Sequence, residues 1–341
     1  MSFSQKTGDF HGVRGSNLPV HTEQKIISPH WEAFLRALAD RIAESTPDQL
    51  TVRCWNRTSF ATMVQDIKRS KLPSNFPDTP EILKHLINIG WAYPIDVDVE
   101  PTKTSRSNEF FLLDVGAAHG IKVDPLELLQ ASKPDGVICY FSALTYHSLT
   151  TQFATHHHIA TIYKKPSVQK LHSDISVIDY SDKSVSSSRK DSLGNNLFTY
   201  QGIPFYLIKR SPTLLVGVQT RIFGPRTNLR ITTLEQTLLD TLNKPKYCGG
   251  PSIVFEAWKE GMTRLDEDLL NEYLQKIDSS LLLRRVGAMF DMFDFTSCHE
   301  LKSTLESALE LSSPNVMEYS VPILPGLEFP VLNPKWKVTI P

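Results

Sequence analysis

The chain has 341 residues, is 40% hydrophobic and 21% charged, and carries a formal net charge of −1. That is the composition of a soluble globular protein with room for two domains or three. No apolar run approaches the roughly 20 residues of a membrane span, the first residues lack a signal-peptide core, and Cys54, Cys139, Cys248 and Cys298 form no CxxC pair. Membrane insertion, secretion, a disulfide framework and a zinc site are therefore not expected, and a cytoplasmic location is.

Residues 1–24 are polar with scattered glycines and read as a mobile tail. Pro29 can start a helix whose Trp31, Leu35, Leu38 and Ile42 share one side. Thr58 or Ser59 can open a second helix, with Phe60, Met63, Val64 and Ile67 as its apolar stripe. Thr79, with Pro80 behind it, predicts the start of a third, carrying Ile82, Leu83, Leu86 and Ile87 to a stop at Gly90. WAYPIDVDV and FFLLDV read as two strands around a polar tip. Three helices and a ribbon are the order of a winged helix-turn-helix, assigned to residues 25–115. In it the helix at 79–89 would read DNA through Lys84 and His85. Arg57, Lys68, Arg69 and Lys71, with Lys103 and Arg106 on the wing, would meet phosphates. A winged-helix module used for protein contact, or merely for folding, is the alternative.

Residues 116–341 form the second expected domain. A short helix and turn at 125–135 precede a buried strand, Val137–Tyr140, and a helix capped by Ser142. His147 reads as a packed, hydrogen-bonded histidine. His156, His157 and His158 fall on alternating faces of a strand, and no metal is expected there. Apolar runs separated by turns follow: HIATIY, ISVID, LFTY, IPFYLI, LLVGVQ and LRI. They predict a mixed or antiparallel sheet, with SDKSVSSSRKDSLGNN as a mobile loop. Lys and Arg outnumber Asp and Glu by 11 to 4 across residues 164–230. Lys164, Lys165, Lys209, Arg210, Arg221, Arg226 and Arg230 thus make a candidate basic surface for an anionic partner. The alternative is a solvated face balanced by the acidic block after it.

Residues 231–250, ITTLEQTLLDTLNKPKYCGG, anchor this half. Thr232 or Thr233 can cap a helix with Leu234, Leu238, Leu239 and Leu242 as its stripe, and Asn243, Pro245 and the Gly249–Gly250 pair end it. Helices then follow at SIVFEAWKEG (Ser252 cap), LDEDLLNEYLQKI, SSLLLRRVGAMFDMF and HELKSTLESALEL. KWKVTIP alternates as a closing strand with Trp336, Val338 and Ile340 on one face.

T-x-E-x-T-L-L-D-x-L before a Gly-Gly loop (Thr233–Leu242) resembles the central motif of the abortive-infection E antitoxins, the AbiEi-like antitoxins of type IV toxin–antitoxin systems. S-A-L-x-x-H-x-L-T (Ser142–Thr150) and LLRRVGAMFDMF resemble that family's flanking signatures, with Arg284 and Arg285 where the family has paired arginines. Gln236 stands where the family has Arg. The resemblance covers roughly residues 125–341 by motif and 25–115 by architecture. It makes Glu235, Asp240, Arg284 and Arg285 family-motif residues. It implies an antitoxin and transcriptional autorepressor that binds double-stranded DNA at its own promoter. It also implies a nucleotidyltransferase toxin as its target, countered without need of a stable complex.

No catalytic motif, cofactor site or metal site is evident, and no enzyme activity is expected: G-x-G-x-x-G, G-x-x-x-x-G-K-[ST] and G-x-S-x-G are all missing. The enzymatic alternative is a metal-dependent nuclease built on Asp240, Glu256 and Lys259. The non-enzymatic alternative is a protein-interaction module of a phage-defence operon. The expected fold is α+β: an N-terminal winged helix-turn-helix, then a mixed sheet packed against a helical layer.

Overall fold

The structure, a computed structural model, describes residues 28–43, 53–99, 109–113, 123–162, 193–224, 227–311 and 320–341. The fold is mixed α+β. The expected tail at 1–24, the strand ISVID and residues 181–192 of the Ser-rich loop lie outside the described residues; the last two residues of that expected loop, Asn195 and Asn196, instead open a strand.

The first part runs α1 (Pro29–Ala43), β1 (Cys54–Asn56), α2 (Arg57–Lys71), α3 (Thr79–Asn88), β2 (Ala92–Ile95) and β3 (Phe110–Leu113). β3 lies between β1 and β2, antiparallel to both. The helix stripes meet: Phe34, Leu38, Phe60, Val64, Ile82 and Leu86 are all fully buried in one cluster. Each such side chain contributes roughly 1.5–3 kcal/mol, so packing rather than helix propensity holds these short helices. Their caps differ from expectation by a residue or two. Asn56, not Thr58 or Ser59, caps α2 by accepting from the Ser59 N–H at 2.8 Å. Asp78, not Thr79, caps α3 by accepting from the Glu81 N–H at 3.1 Å. Each polar run holds several residues able to cap, and the one in extended backbone immediately before the first turn takes the role. Strand β1 was not expected at all, since three residues cannot show a period of two. It forms because β3 pairs with it.

The second part begins with α4 (Pro125–Ser132), β4 (Val137–Cys139), α5 (Phe141–Tyr146) and β5 (His157–Ile162). It continues with β6 (Asn195–Tyr200), β7 (Ile203–Arg210), β8 (Val218–Gly224) and β9 (Thr227–Thr232). These strands make one six-stranded sheet in the order β6-β7-β5-β4-β9-β8. The central pair β4/β5 is antiparallel, and each of the two gains a parallel neighbour, β9 on β4 and β7 on β5. Hairpins place β6 and β8 at the edges. Of the expected strand LLVGVQ only Val218 and Gln219 lie in β8.

One face of the sheet meets α4 together with Cys54, Phe110 and Leu112 from the first part. The seam is polar as well as apolar. Arg53 donates to both oxygens of the buried Glu127 on α4, at 3.1 and 2.9 Å, and Asn56 donates to the Ala131 carbonyl. Asp98 and Thr199 add an antiparallel bridge at the β6 edge.

The opposite face carries the helices α6 (Leu234–Asn243), α7 (Pro251–Gly261), α8 (Glu267–Ile277), α9 (Ser280–Met292) and α10 (His299–Leu311). Thr233 caps α6. Ser252 does not cap α7. Gly250, at φ 100°, takes that place, with Pro251 in the first turn. A last sheet, β10 (Val321–Pro322), β11 (Val331–Asn333) and β12 (Val338–Ile340), closes the layer with β12 in the middle. Trp336 sits in the turn before β12, and its ring presses so closely on Gly287 of α9 that a Cβ there would lie 2.4 Å away. Among the described residues no helix is long and apolar enough to cross a membrane.

Candidate functional site

On α3 the inward residues Ile82 and Leu86 leave Glu81, Lys84, Ile87 and Asn88 toward solvent. His85 is not available to a partner in the way expected. Its ring packs on Trp31 at 4.1 Å between centroids, and its Nε2 is enclosed without a hydrogen-bond partner. Lys68 is committed too: its ammonium donates to the Phe76 and Pro77 carbonyls, both at 3.0 Å, and so fastens the loop between α2 and α3. Arg57 pairs with Glu109 at the start of β3. Arg69 is exposed, 3.8 Å from Asp66. The Lys71 side chain, Lys103 and Arg106 lie outside the described residues. Among the described residues, Lys84 and Arg69 are what remains exposed of the expected cationic face.

The expected basic surface of the sheet divides in the same way. Lys209 and Arg221 are exposed, and Arg230 is half-buried with its guanidinium on the Asp135 carbonyl. Lys164, Lys165 and Arg226 lie outside the described residues. Arg210 is a correction: it is 8% exposed and belongs to the core. Its guanidinium donates to both oxygens of the fully buried Asp240, at 2.5 and 2.6 Å, and to the Leu214 carbonyl. Burial pushes the Asp240 carboxyl up, while Arg210 and Gln236 oppose it; Asp240 in turn holds Arg210 above the ordinary guanidinium range. Gln236 completes the network. Its amide nitrogen donates to Asp240 and Leu214, and its oxygen accepts from the Val216 and Gly217 N–H groups. The helix stripe gave no hint of this, because Asp240 finds its partner 30 residues away.

Tyr140 lies over this pair, its ring 5.2 Å from the Arg210 guanidinium carbon. Its backbone holds φ 56° and ψ −130°, and it takes the N-cap position of α5 without a side-chain cap bond. A side chain held there costs of order 1–3 kcal/mol. Ser142, expected as the cap, turns instead to β5: its hydroxyl accepts from the His158 N–H and lies 3.1 Å from His157 Nδ1. The three histidines alternate as read. His156 and His158 face Tyr206 and Tyr247, and His157 faces Phe205. Burial drives all three down, His157 to about 4 and His158 to about 3. His156 Nε2 donates to the Tyr247 carbonyl and His158 Nε2 to the Leu193 carbonyl, so Nε2 carries the proton in both rings.

Arg284 and Arg285 are also buried. Arg284 donates to the Trp336 and Lys337 carbonyls. Arg285 donates to the Pro322 carbonyl and, across to the end of α6, to the Leu242 carbonyl. Glu235 is buried and accepts from the Asp266 N–H. The Asp240, Glu256 and Lys259 set does not come together. Asp240 is sealed against Arg210, Glu256 accepts from Thr150 and Thr151, and no metal-ligand cluster occurs among the described residues.

One open groove of about 620 Å³ lies where the β9–α6 turn, the end of α5 and the α7–α8 turn meet. Tyr146, His147, Arg221, Phe223, Glu235 and Arg264 line it, with Asp266 at the α7–α8 turn. His147 Nε2 donates to the Thr232 carbonyl at 2.8 Å, which leaves Nδ1 as the ring's acceptor. Burial lowers His147, and Arg264 and Arg221 lower it further, so both guanidinium charges act on one imidazole. Arg264 donates to the His147 carbonyl at 2.6 Å and Arg221 to Gln219 at 2.7 Å; neither is in an ion pair among the described residues. The sequence reading named His147, Arg221 and Glu235 separately and missed Tyr146, Phe223 and Arg264. Arg264 sits in a short 3-10 turn with no pattern around it, and only the fold brings it to the others.

No family model matches the chain, and no curated protein matches it. Among solved structures, the chain aligns with the RV2827C protein from Mycobacterium tuberculosis at 11% identity and a TM-score of 0.45, over 89% of this chain and 90% of that one.

Proposed function

We propose that the chain is a DNA-binding antitoxin of the AbiEi-like kind, which represses its own promoter and counters a nucleotidyltransferase toxin in the cytoplasm. The observation that carries the DNA-binding half is the order α–β–α–α–β–β at the N-terminus. Its sheet is antiparallel, and its third helix leaves Glu81, Lys84, Ile87 and Asn88 exposed. That order supports reading residues 29–113 as a winged helix-turn-helix, in which α3 would enter the major groove and Lys84 would reach DNA. The antitoxin half rests on the sequence resemblance. It is supported by how the three motif stretches lie: His147 of one bonds Thr232 beside the second, and Arg285 of the third bonds Leu242 within it.

A gel shift with a duplex taken from upstream of the chain's own reading frame tests the repressor role. A shift at low salt that weakens as salt rises is expected. No shift at low salt contradicts the reading. The second reading is a protein-interaction module. It is favoured by the commitment of Lys68 on α2 to a loop, and by the packing of His85, which leaves α3 with a single outward cation, Lys84.

A further inference from the structure

The groove beside α6 has walls of two kinds. Arg221 and Arg264 each keep guanidinium donors beyond the one side-chain hydrogen bond they make among the described residues. Tyr146 and Phe223 line the same groove, their rings 6.2 Å apart and tilted by 38°, both half-buried. A fork of N–H donors matches the oxygens of a phosphate, and an exposed aromatic face matches a flat base. Two carboxylates also line the groove, Asp266, whose Oδ1 accepts from the Leu269 N–H, and Glu235, whose Oε1 accepts from the Asp266 N–H; a carboxylate suits the hydroxyls of a ribose. The open groove, about 620 Å³, has room for a small molecule.

We propose that this groove binds a mononucleotide, its phosphates on Arg221 and Arg264 and its base against Tyr146 and Phe223. Arg221 is the better handle of the two arginines. It is exposed on the edge strand β8, next to Ile222, which is 75% exposed. Arg264 also fastens the His147 carbonyl. The site is separate from α3 and does not depend on the DNA-binding reading.

The test is titration calorimetry on the full chain with ATP, AMP, inorganic phosphate and a single-stranded oligonucleotide. Arg221→Ala is compared with the parent after melting curves show that both fold. The expected result is saturable binding of ATP, tighter than AMP, weakened about tenfold or more in Arg221→Ala. Inorganic phosphate should bind at least about tenfold more weakly than AMP, because it cannot use the aromatic wall. Three results overturn the proposal: no heat from either nucleotide at millimolar concentration, binding untouched by Arg221→Ala, or inorganic phosphate as tight as the nucleotides. Binding of the oligonucleotide alone also overturns it and makes the groove part of a nucleic-acid surface. The upstream-duplex gel shift is scored separately from the calorimetry, so a failed DNA reading and a failed groove are told apart.

Discussion

The first hundred residues and the six-stranded sheet treat their cations in opposite ways. Around α3 the core is almost wholly apolar, and the charged side chains either stay outside, as Lys84 and Arg69 do, or fasten a loop from the rim, as Lys68 does. Behind the sheet the reverse holds. Arg210, Arg284 and Arg285 are drawn inside and spend their donors on Asp240 and on backbone carbonyls. A run of basic residues in a sequence is therefore not a basic surface until the burial of each one is known. Among the described cations of residues 164–230, Arg210 is withdrawn into the core, while Lys209 and Arg221 stay exposed.

That contrast can be broken most severely at Asp240. Asp240→Ala leaves Arg210 charged, buried and unpaired, and should cost about 3–5 kcal/mol in denaturant unfolding. Replacing both partners by apolar residues, Arg210→Met with Asp240→Leu, should recover much of that loss, since no lone charge remains buried. A double variant as unstable as the single one would mean that the pair does more than satisfy itself.

The next effect is a pH dependence. His157 and His158 are held far below the ordinary 6.5 in the folded chain, at about 4 and about 3. The unfolded chain therefore binds more protons below pH 6.5, and stability falls as pH drops from there toward 4. Each histidine costs on the order of 3 kcal/mol by the bottom of that window. His158→Phe keeps a ring between Tyr206 and Tyr247 and should flatten the slope between pH 6.5 and 4. An unchanged slope would assign the acid loss to other groups. Lys68→Ala, at the rim, should cost only about 1 kcal/mol, seen as a small shift of the unfolding midpoint. A loss as large as that of Asp240→Ala would erase the distinction between rim and interior.

The sequence made the helices legible because their apolar residues repeat at 3–4 positions, as in Phe60, Met63, Val64 and Ile67, and because Pro80, Gly90 and Gly249–Gly250 mark their ends. The sheet was legible as strands but not in its order, since nothing local tells β5 to pair with β7 and β4 with β9. The motif helix was legible in full down to Thr233. Its chemistry was not: Asp240 looked like a candidate ligand and is a core ion-pair partner. The groove was hidden because its walls come from residues 146, 221, 223 and 264, which share no spacing.

The smallest expected stability effect carries the functional claim. Lys84 is exposed on α3 without a side-chain hydrogen bond or ion pair among the described residues, so Lys84→Glu should shift the unfolding midpoint by no more than about 0.5 kcal/mol. The decisive measurement is fluorescence anisotropy of a labelled upstream duplex titrated at low salt with the parent chain and with Lys84→Glu. The account predicts saturable binding by the parent and its loss in the equally stable variant. Equal binding by the two, or none by the parent, contradicts it.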